Sequence, residues 1–354
     1  MRTLAMALFC AFCCLSCVKT IMVPRPPFGP PASTCEGAPS DLDVVTFNAG
    51  LGPGIVLYSS ERAPHVVDAL ASTPFDVMCL QEVWTDGDRD AIVSRLGLPR
   101  ENVAYAVTRG LGETGEDRCS SSELDRLSAC TEEKCRGVPE EDITSCAMSR
   151  CRSALTHLFM TNRECLNCLA AMAGHGSATT RRVCTTTGAS RIYGGRNGII
   201  LASRWPLHDA EAVLLPTSNA NRVALFARVA IPGRGEVELA CTHLSSSQEI
   251  PPYHSGASDW DEEKDMQLEI ISRRLEARAG GRPQLLVGDM NFGGSDGARV
   301  SEESGEVWYH AHELGFSDPV AYAEPSLCSM CPSNTFVGDG SRGTLIDHVL
   351  LRSR

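Results

Sequence analysis

Seven polar residues stand where apolar runs of the sequence stop. They are Asn48 in VVTFNAG, Glu82 in VMCLQEVW, His243 in ELACTHLSS, Asp289 and Asn291 in LLVGDMN, and Asp347 and His348 in TLIDHVLL. Each has a plain reading alone: a turn former, a solvated charge, a satisfied core histidine. Asp347-His348 is harder to set aside, because apolar residues flank it and a buried charge needs a partner or a metal. Asn48, Glu82 and Asp347 are hard oxygen donors suited to Mg²⁺, with Mn²⁺ as its substitute. Such an ion uses one or two carboxylates and leaves its other positions to water and phosphate. His243, His348, Asp289 and Asn291 supply proton transfer and hydrogen bonds to a phosphate. The sequence contains no HExxH, no GxSxG elbow and no Walker-type loop, and the strand ends carry no Cys/His set for a catalytic zinc. The chemistry implied is metal-assisted attack of water on a phosphoester.

These residues need strands to carry them. QLLVGDMNFGG (284–294) reads as a buried strand that breaks on glycines, and side-chain alternation puts Asp289 and Asn291 on one side of it. DLDVVTFNAGLG, FDVMCLQEVW, GIILASRWPL, VALFARVAI, VELACTHLSSS and GTLIDHVLLR also read as strands. ERAPHVVDALAST, DRDAIVSRLGL and DEEKDMQLEIISRRLEARAGG have helical spacing, the last with an acidic start, a basic end and a glycine stop. Strands alternating with helices, with strand pairs between, predict an α/β (α+β) sandwich.

The ordered set FNAG, LQEVW, CTHL, GDMN and DHVLL resembles the endonuclease/exonuclease/phosphatase superfamily, over about residues 41–352 apart from one insert. That resemblance implies a four-layer α/β/β/α sandwich of two mixed sheets. It implies Glu82 as principal Mg²⁺ ligand, Asn48 assisting at metal or phosphate, and Asp347 at the metal end. Asp289 would deprotonate the attacking water, Asn291 would hold water and phosphate, and His243 would bind the phosphate oxygens. His348 would face the scissile phosphate, oriented by Asp318 of LGFSDPV. Arg222 matches a phosphate-facing arginine, with a surface arginine at a strand start as its alternative.

The substrate is less legible. The opening segment GLGPGIVLYSSERAPHVVDALASTPFDVMCLQEVW resembles neutral sphingomyelinases, which favours a phospholipid headgroup. The Asp/Lys-bearing loop of many sphingomyelinases has no clear counterpart, and no exposed aromatic hairpin for membrane insertion is evident. The alternative is a deoxyribonuclease-I-like nuclease acting on DNA or RNA, with Arg181, Arg182, Arg191 and Arg196 as a phosphate-tracking edge. A remote alternative is a non-catalytic binding module, against which stands the complete residue set.

The formal net charge of −12 argues against gripping nucleic acid by bulk charge, and 43% hydrophobic residues support a sizeable core. Residues 1–20 (MRTLAMALFCAFCCLSCVKT) read as a signal peptide, with CLSCVKT as a lipoprotein cleavage site at Cys17 the alternative to ordinary cleavage. Residues 21–40 read as a Pro-rich linker from an exported or membrane-anchored N-terminus to a domain at 41–354. That domain is interrupted by a Cys-rich helical insert at about 112–188. Eight cysteines lie between Cys119 and Cys184, a density that in an exported chain reads as disulfides. A zinc site at CLNC with His157 or His175 is the alternative. Cys328 and Cys331 would close a small disulfide loop.

Overall fold

The computed structural model describes residues 2–5, 18–22, 42–108, 118–189, 191–218, 220–247, 253, 256–295, 302–323, 327–334 and 343–353. Two mixed sheets face each other. The first holds β1 (Arg2–Ala5), β2 (Val18–Met22), β3 (Leu42–Leu51), β4 (Val77–Val83), β5 (Val103–Tyr105) and β6 (Ile200–Ser203), in spatial order β1-β2-β3-β4-β6-β5. The second holds β7 (His208–Leu215), β8 (Arg222–Ile231), β9 (Gly235–His243), β10 (Gln284–Asp289) and β11 (Asp347–Arg352), in order β11-β10-β9-β8-β7. Parallel pairing of β3 with β4 and of β9 with β10 sets the functional strand ends side by side. β1 and β2 fall in the segment read as signal and linker; their backbones continue the first sheet beyond β3.

The layers follow from which face of each strand is apolar. Val44, Val77, Cys79 and Leu201 meet Leu225, Leu239, Cys241, Val287 and Val349 between the sheets. The outer face of the first sheet carries Val45, Met78 and Leu80. It is covered by Val66 and Leu70 of α1 (Ser59–Ala71) and Ile92 of α2 (Asp86–Leu96). Five short helices, α3 (Ser121–Lys134), α4 (Ile143–Arg150), α5 (Arg152–Thr161), α6 (Arg163–Ala171) and α7 (Ser177–Thr186), then form the insert. The outer face of the second sheet, with Phe226, Ala240 and Leu286, is covered by Leu268, Ile271 and Leu275 of α8 (Trp260–Ala279) and Trp308 of α9 (Gly305–Glu313). Helix α10 (Pro319–Ala323) leads back towards β11. The expected four-layer sandwich is therefore present. β5, β7 and α9 escaped the pattern reading: β5 has three residues, and β7 is largely exposed, so neither carries a strong apolar period.

The cysteines pair with one another. Cys119–Cys165, Cys130–Cys151, Cys135–Cys146 and Cys168–Cys184 staple the insert, and Cys328–Cys331 closes a short loop. Both CLNC cysteines are consumed this way, which removes the zinc alternative. A sixth bond, Cys79–Cys241, joins β4 to β9 across the sandwich. Each of these cysteines sits in a buried apolar strand, so the sequence reads it as one more hydrophobe.

Candidate active site

Register brings the site together at one end of the sandwich. Asp289 ends β10 and pairs with His243, the last residue of β9, on one side and with Asp347, the first residue of β11, on the other. Three strand ends thus present an imidazole and two carboxylates in a row. β10 lies this close to β9 only because Gly288 lacks a side chain: a Cβ there would fall 2.0 Å from the Thr242 carbonyl oxygen. Gly293 plays the same part beyond the strand, where a Cβ would fall 1.9 Å from the Leu345 carbonyl oxygen.

The other sheet contributes Asn48 and Glu82. The Asn48 Nδ2 donates to Glu82 Oε1 at 3.0 Å and to Asp289 Oδ2 at 2.9 Å, bridging the two sheets through one amide. Its Oδ1, the atom expected at a metal, instead accepts the Gly50 N–H at 3.0 Å. Facing two carboxylates, the amide presents its donors to them. Glu82, one residue before the end of β4, sits at φ +56°, a left-handed conformation that turns its carboxylate into the cluster.

The carboxylates act on one another. Burial pushes the Asp289 carboxyl up to about 6, and the charge of Glu82 adds to the rise while the Asn48 hydrogen bond opposes it. Asp347 is pushed well above the usual carboxylate range by burial and then by the charges of Asp289 and Glu82. Its Oδ1 is buried with no hydrogen-bond partner. Clustered acidic oxygens with one orphaned atom form the kind of donor set a hard divalent cation satisfies. Among the described residues no three His, Cys, Asp or Glu side chains are gathered closely enough to cage an ion by themselves. A cation that keeps waters and substrate oxygens does not need such a cage.

Opposite these acids lie two buried donors. Arg222 at the start of β8 is 6% exposed, so it is not a surface arginine. Burial holds its guanidinium below its usual range despite the nearby charges of Glu82, Asp289 and Glu263, and its Nη1 has no partner. The His243 Nε2 lies 3.6 Å from Asp289 Oδ2, and its Nδ1 has no partner. Burial and then the Arg222 charge hold this imidazole well below its usual range, which keeps it neutral.

Asn291 and His348 are more tightly held than the sequence implies. Asn291 adopts φ +50°, its N–H donates to Asp289 Oδ1 at 3.1 Å, and its Nδ2 donates to the Leu244 carbonyl at 3.0 Å. GDMN is therefore a turn that also holds the Asp289 carboxylate in the cluster. The His348 Nδ1 lies 2.5 Å from Asp318 Oδ2, and both side chains are fully buried. Its Nε2 lies 2.7 Å from the Phe292 carbonyl oxygen. The ring therefore reaches a phosphate only by giving up that carbonyl.

Two site residues escaped the sequence reading. Arg62 donates from α1 to the carbonyls of Gly50 at 2.9 Å and Ala49 at 3.1 Å, which fixes the loop after Asn48. Lys264 is fully buried on α8; its Nζ contacts the Asn291 carbonyl at 3.2 Å, Asp261 Oδ1 at 3.0 Å and the Ser304 hydroxyl. In DEEKD it looks like one more solvated charge, and helical spacing alone does not show which charge turns inward. Three of the four arginines considered as a phosphate-tracking edge are engaged within the chain. Arg181 pairs with Asp125, Arg196 with Asp86, and Arg191 donates to the carbonyls of Thr217 and Ser218.

A two-sheet sandwich with helices outside and a polar cluster at one end is the deoxyribonuclease-I-like architecture. The profile of the Endonuclease/Exonuclease/phosphatase family matches residues 45–354, and the chain belongs to that family. Members of this family are generally phosphoester hydrolases. The solved structure of SmcL matches with a TM-score of 0.50 and 10% identity, covering 87% of this chain and 82% of that one. An endonuclease/exonuclease/phosphatase from Beutenbergia cavernae gives 0.43 and 16%, covering 87% of this chain and 63% of that one. Sphingomyelinase C from Streptomyces griseocarneus gives 0.46 and 14%, covering 87% and 82%. No curated protein matches the chain.

Proposed function

We propose that this protein is an exported, Mg²⁺-dependent phosphodiesterase that hydrolyses its substrate by attack of an activated water, with a phospholipid headgroup as the favoured substrate. One observation carries the reading. A buried guanidinium nitrogen of Arg222, a buried ring nitrogen of His243 and a buried oxygen of Asp347 have no protein partner, and all three residues lie in one cluster with Glu82 and Asp289. Orphaned groups of both signs suit a cation and a phosphate anion held together.

Glu82 and Asp347 would hold the Mg²⁺, or Mn²⁺ in its place, with the Asn48 amide fixing the carboxylates beside it. The ion supplies charge neutralisation at the phosphoryl oxygens when bound. Asp289, whose carboxyl is raised to about 6 and is mostly ionised at neutral pH, takes the proton of the attacking water. Asn291 fixes the turn that aims Asp289. Neutral His243 and the Arg222 guanidinium donate to phosphate oxygens as negative charge builds. His348, oriented by Asp318, stands at the far side of the cluster as acid or electrostatic stabiliser.

The lean to phospholipid rests on the resemblance of the opening segment to neutral sphingomyelinases and on the engagement of Arg181, Arg191 and Arg196 with groups of this chain rather than with an open basic edge. The disulfides favour an oxidising compartment, in keeping with export. Anchoring through a lipidated Cys17 belongs to the same reading; Cys17 lies outside the described residues, and the mass of the mature N-terminus tests it. The activity test is a hydrolysis panel with and without Mg²⁺: sphingomyelin vesicles, plasmid DNA, RNA and bis-p-nitrophenyl phosphate, with Asp289→Ala and His348→Ala as controls. Hydrolysis of none, or rates in both variants unchanged from wild type, refutes the mechanism. Cleavage of nucleic acid but not sphingomyelin refutes the lipid substrate.

A further inference from the structure

The insert returns to the first sheet through RIYGGRNG (191–198), a stretch with three glycines just before β6. Glycine adopts left-handed backbone at no steric cost, and Gly194, Gly195 and Gly198 all adopt it. Tyr193 adopts it too, at φ +53°, although its side chain makes that conformation unfavourable. A bulky residue stays there only when its surroundings over-determine it. Tyr193 is accordingly buried, and its ring stacks on Trp84 with centroids 4.9 Å apart.

Three segments of the candidate active site meet on this stretch. The Tyr193 hydroxyl donates to the Pro53 carbonyl at 3.1 Å, in the loop that follows Asn48. The Gly198 carbonyl accepts the Val83 N–H at 3.0 Å, next to Glu82, and a Cβ on Gly198 would fall 3.3 Å from the Glu82 Cα. The Gly195 carbonyl accepts from the Asn221 Nδ2 at 2.6 Å, next to Arg222, and Ala220 packs in one cluster with Trp84 and Tyr193. Burial and then the charge of Glu82 push the Tyr193 hydroxyl up, which keeps it a donor. The insert presses on the same loop: a Cβ on Gly174, beyond α6, would fall 2.7 Å from the Pro53 carbonyl oxygen. The ends of the insert are tied together, since the N–H groups of Arg118 and Cys119 donate to the Cys184 carbonyl at 3.0 and 2.9 Å.

Glu82 belongs to the first sheet and Arg222 to the second, so hydrogen bonding within one sheet does not fix their distance. Glu82 is itself left-handed, and its carboxylate points into the cluster only while its backbone is held there. We infer that Tyr193 is a positioning residue, through which the Cys-rich insert holds Glu82 and Arg222 at the spacing that a cation and a phosphate oxygen require. Tyr193 acts through Trp84 and the Pro53 loop, not on the substrate. The insert is then part of the hydrolytic apparatus rather than an appendage, because its exit is the strut between the two sheets at the site. The inference rests on the hydrolase reading for the reaction it serves; the geometry itself is read by cation binding.

Tyr193→Leu removes both the stack and the hydroxyl, and Tyr193→Phe removes the hydroxyl alone. Val229→Ala, in the core between the sheets towards the other end of β8, is the control for destabilisation without displacement. Both readouts use the full chain with its disulfides intact. The first is the rate on bis-p-nitrophenyl phosphate in Mg²⁺, per folded molecule. Tyr193→Leu should lose about a hundredfold in kcat, which a misplacement of about 1 Å suffices to cause, with little change in KM. Tyr193→Phe should lose about fivefold, the worth of one neutral hydrogen bond, and Val229→Ala nothing. The second readout needs no catalysis. The Mg²⁺ dissociation constant, fitted from the rise of the urea midpoint with Mg²⁺, should increase about tenfold in Tyr193→Leu and stay unchanged in Val229→Ala. Wild-type kcat and Mg²⁺ affinity in folded Tyr193→Leu overturn the inference. So does a loss in Val229→Ala as large as in Tyr193→Leu, which would make the effect one of stability alone. If Tyr193→Leu does not fold, Tyr193→Phe decides, and wild-type values in it overturn the inference. A wild type that binds Mg²⁺ but hydrolyses nothing overturns the hydrolase reading alone, and the affinities still decide the positioning. A wild type with neither property overturns both.

Discussion

Replacing Asp289 by Asn tests whether the cluster is strained by its own charge. The variant keeps the shape of the side chain and an oxygen able to accept from Asn48, and it removes one negative charge. In the folded protein the Asp289 carboxyl is raised from 3.8 to about 6, a difference of about 3 kcal/mol between its two protonation states. The sign follows from proton counting. Between these values the folded chain holds a proton that the unfolded chain has released, so stability falls as pH rises through the window and levels off above it. Without divalent cations, the wild type should therefore lose stability relative to Asp289→Asn between about pH 4 and about pH 6, by about 3 kcal/mol. Asp347 is pushed up partly by the charge of Asp289, so removing that charge adds to the gain. The assay is urea unfolding of both proteins in EDTA across this range, with disulfides intact. A difference that does not change with pH refutes the argument, and so does a variant less stable than wild type at about pH 8. Adding Mg²⁺ at the same pH should restore the wild type more than the variant, because a ligand of the folded state stabilises it by mass action.

Other perturbations separate function from stability. Arg222→Met should destabilise the chain by about 3 kcal/mol, since it takes away the buried cation beside Glu82, Asp289 and Glu263, and hydrolysis by the folded variant should fall by about a hundredfold. Rates measured on variant shown to be folded decide the second half: a wild-type rate there would make Arg222 structural only. Asp318→Ala should destabilise by about 3 kcal/mol, because it leaves the buried His348 Nδ1 without its acceptor, and Asp318→Asn should recover part of this. A chemical-denaturation midpoint unchanged in both variants would count against the pair. Joint Cys79→Ala and Cys241→Ala substitution should cost about 2–5 kcal/mol in urea unfolding, since the bond closes a loop across the two sheets. Loss of folding with no reducing agent present would show a larger role than cross-linking, and no change would show that packing alone holds the sheets.

Much of the site was legible because strand ends punctuate the sequence. His243, Asp289 and Asp347 each terminate or begin an apolar run, and pairing in register turns those positions into neighbours. The orientation of polar atoms was not legible. Nothing in FNAG says that Asn48 turns its oxygen to Gly50 and its donors to two acids, because that choice is made by Glu82 and Asp289 from distant parts of the chain. The Phe292 carbonyl against His348 is hidden for the same reason, being set by the close approach at Gly293. Cys79 and Cys241 were concealed by their own burial. The edge strand β7 was concealed by its exposure, since a strand with little to bury leaves little period to read.

Lys264 shows how the sandwich holds the Asp289–Asn291 turn in shape. Asn291 in a left-handed conformation is unfavourable for the backbone, and its carbonyl points away from the cluster into α8. A fully buried ammonium there is costly unless several acceptors share it. Lys264 meets that condition with Asp261, Ser247, Ser304 and the Asn291 carbonyl together. The same helix supplies Glu263 to the hydroxyls of Ser218, Ser245 and Tyr253, and Gln267 to the Ser245 N–H just beyond His243. One helix thus fixes the loops that follow both β9 and β10 from behind. The groups facing the cluster can then stay under-satisfied, because the backbone that carries them is held by bonds on the other side of the sheet.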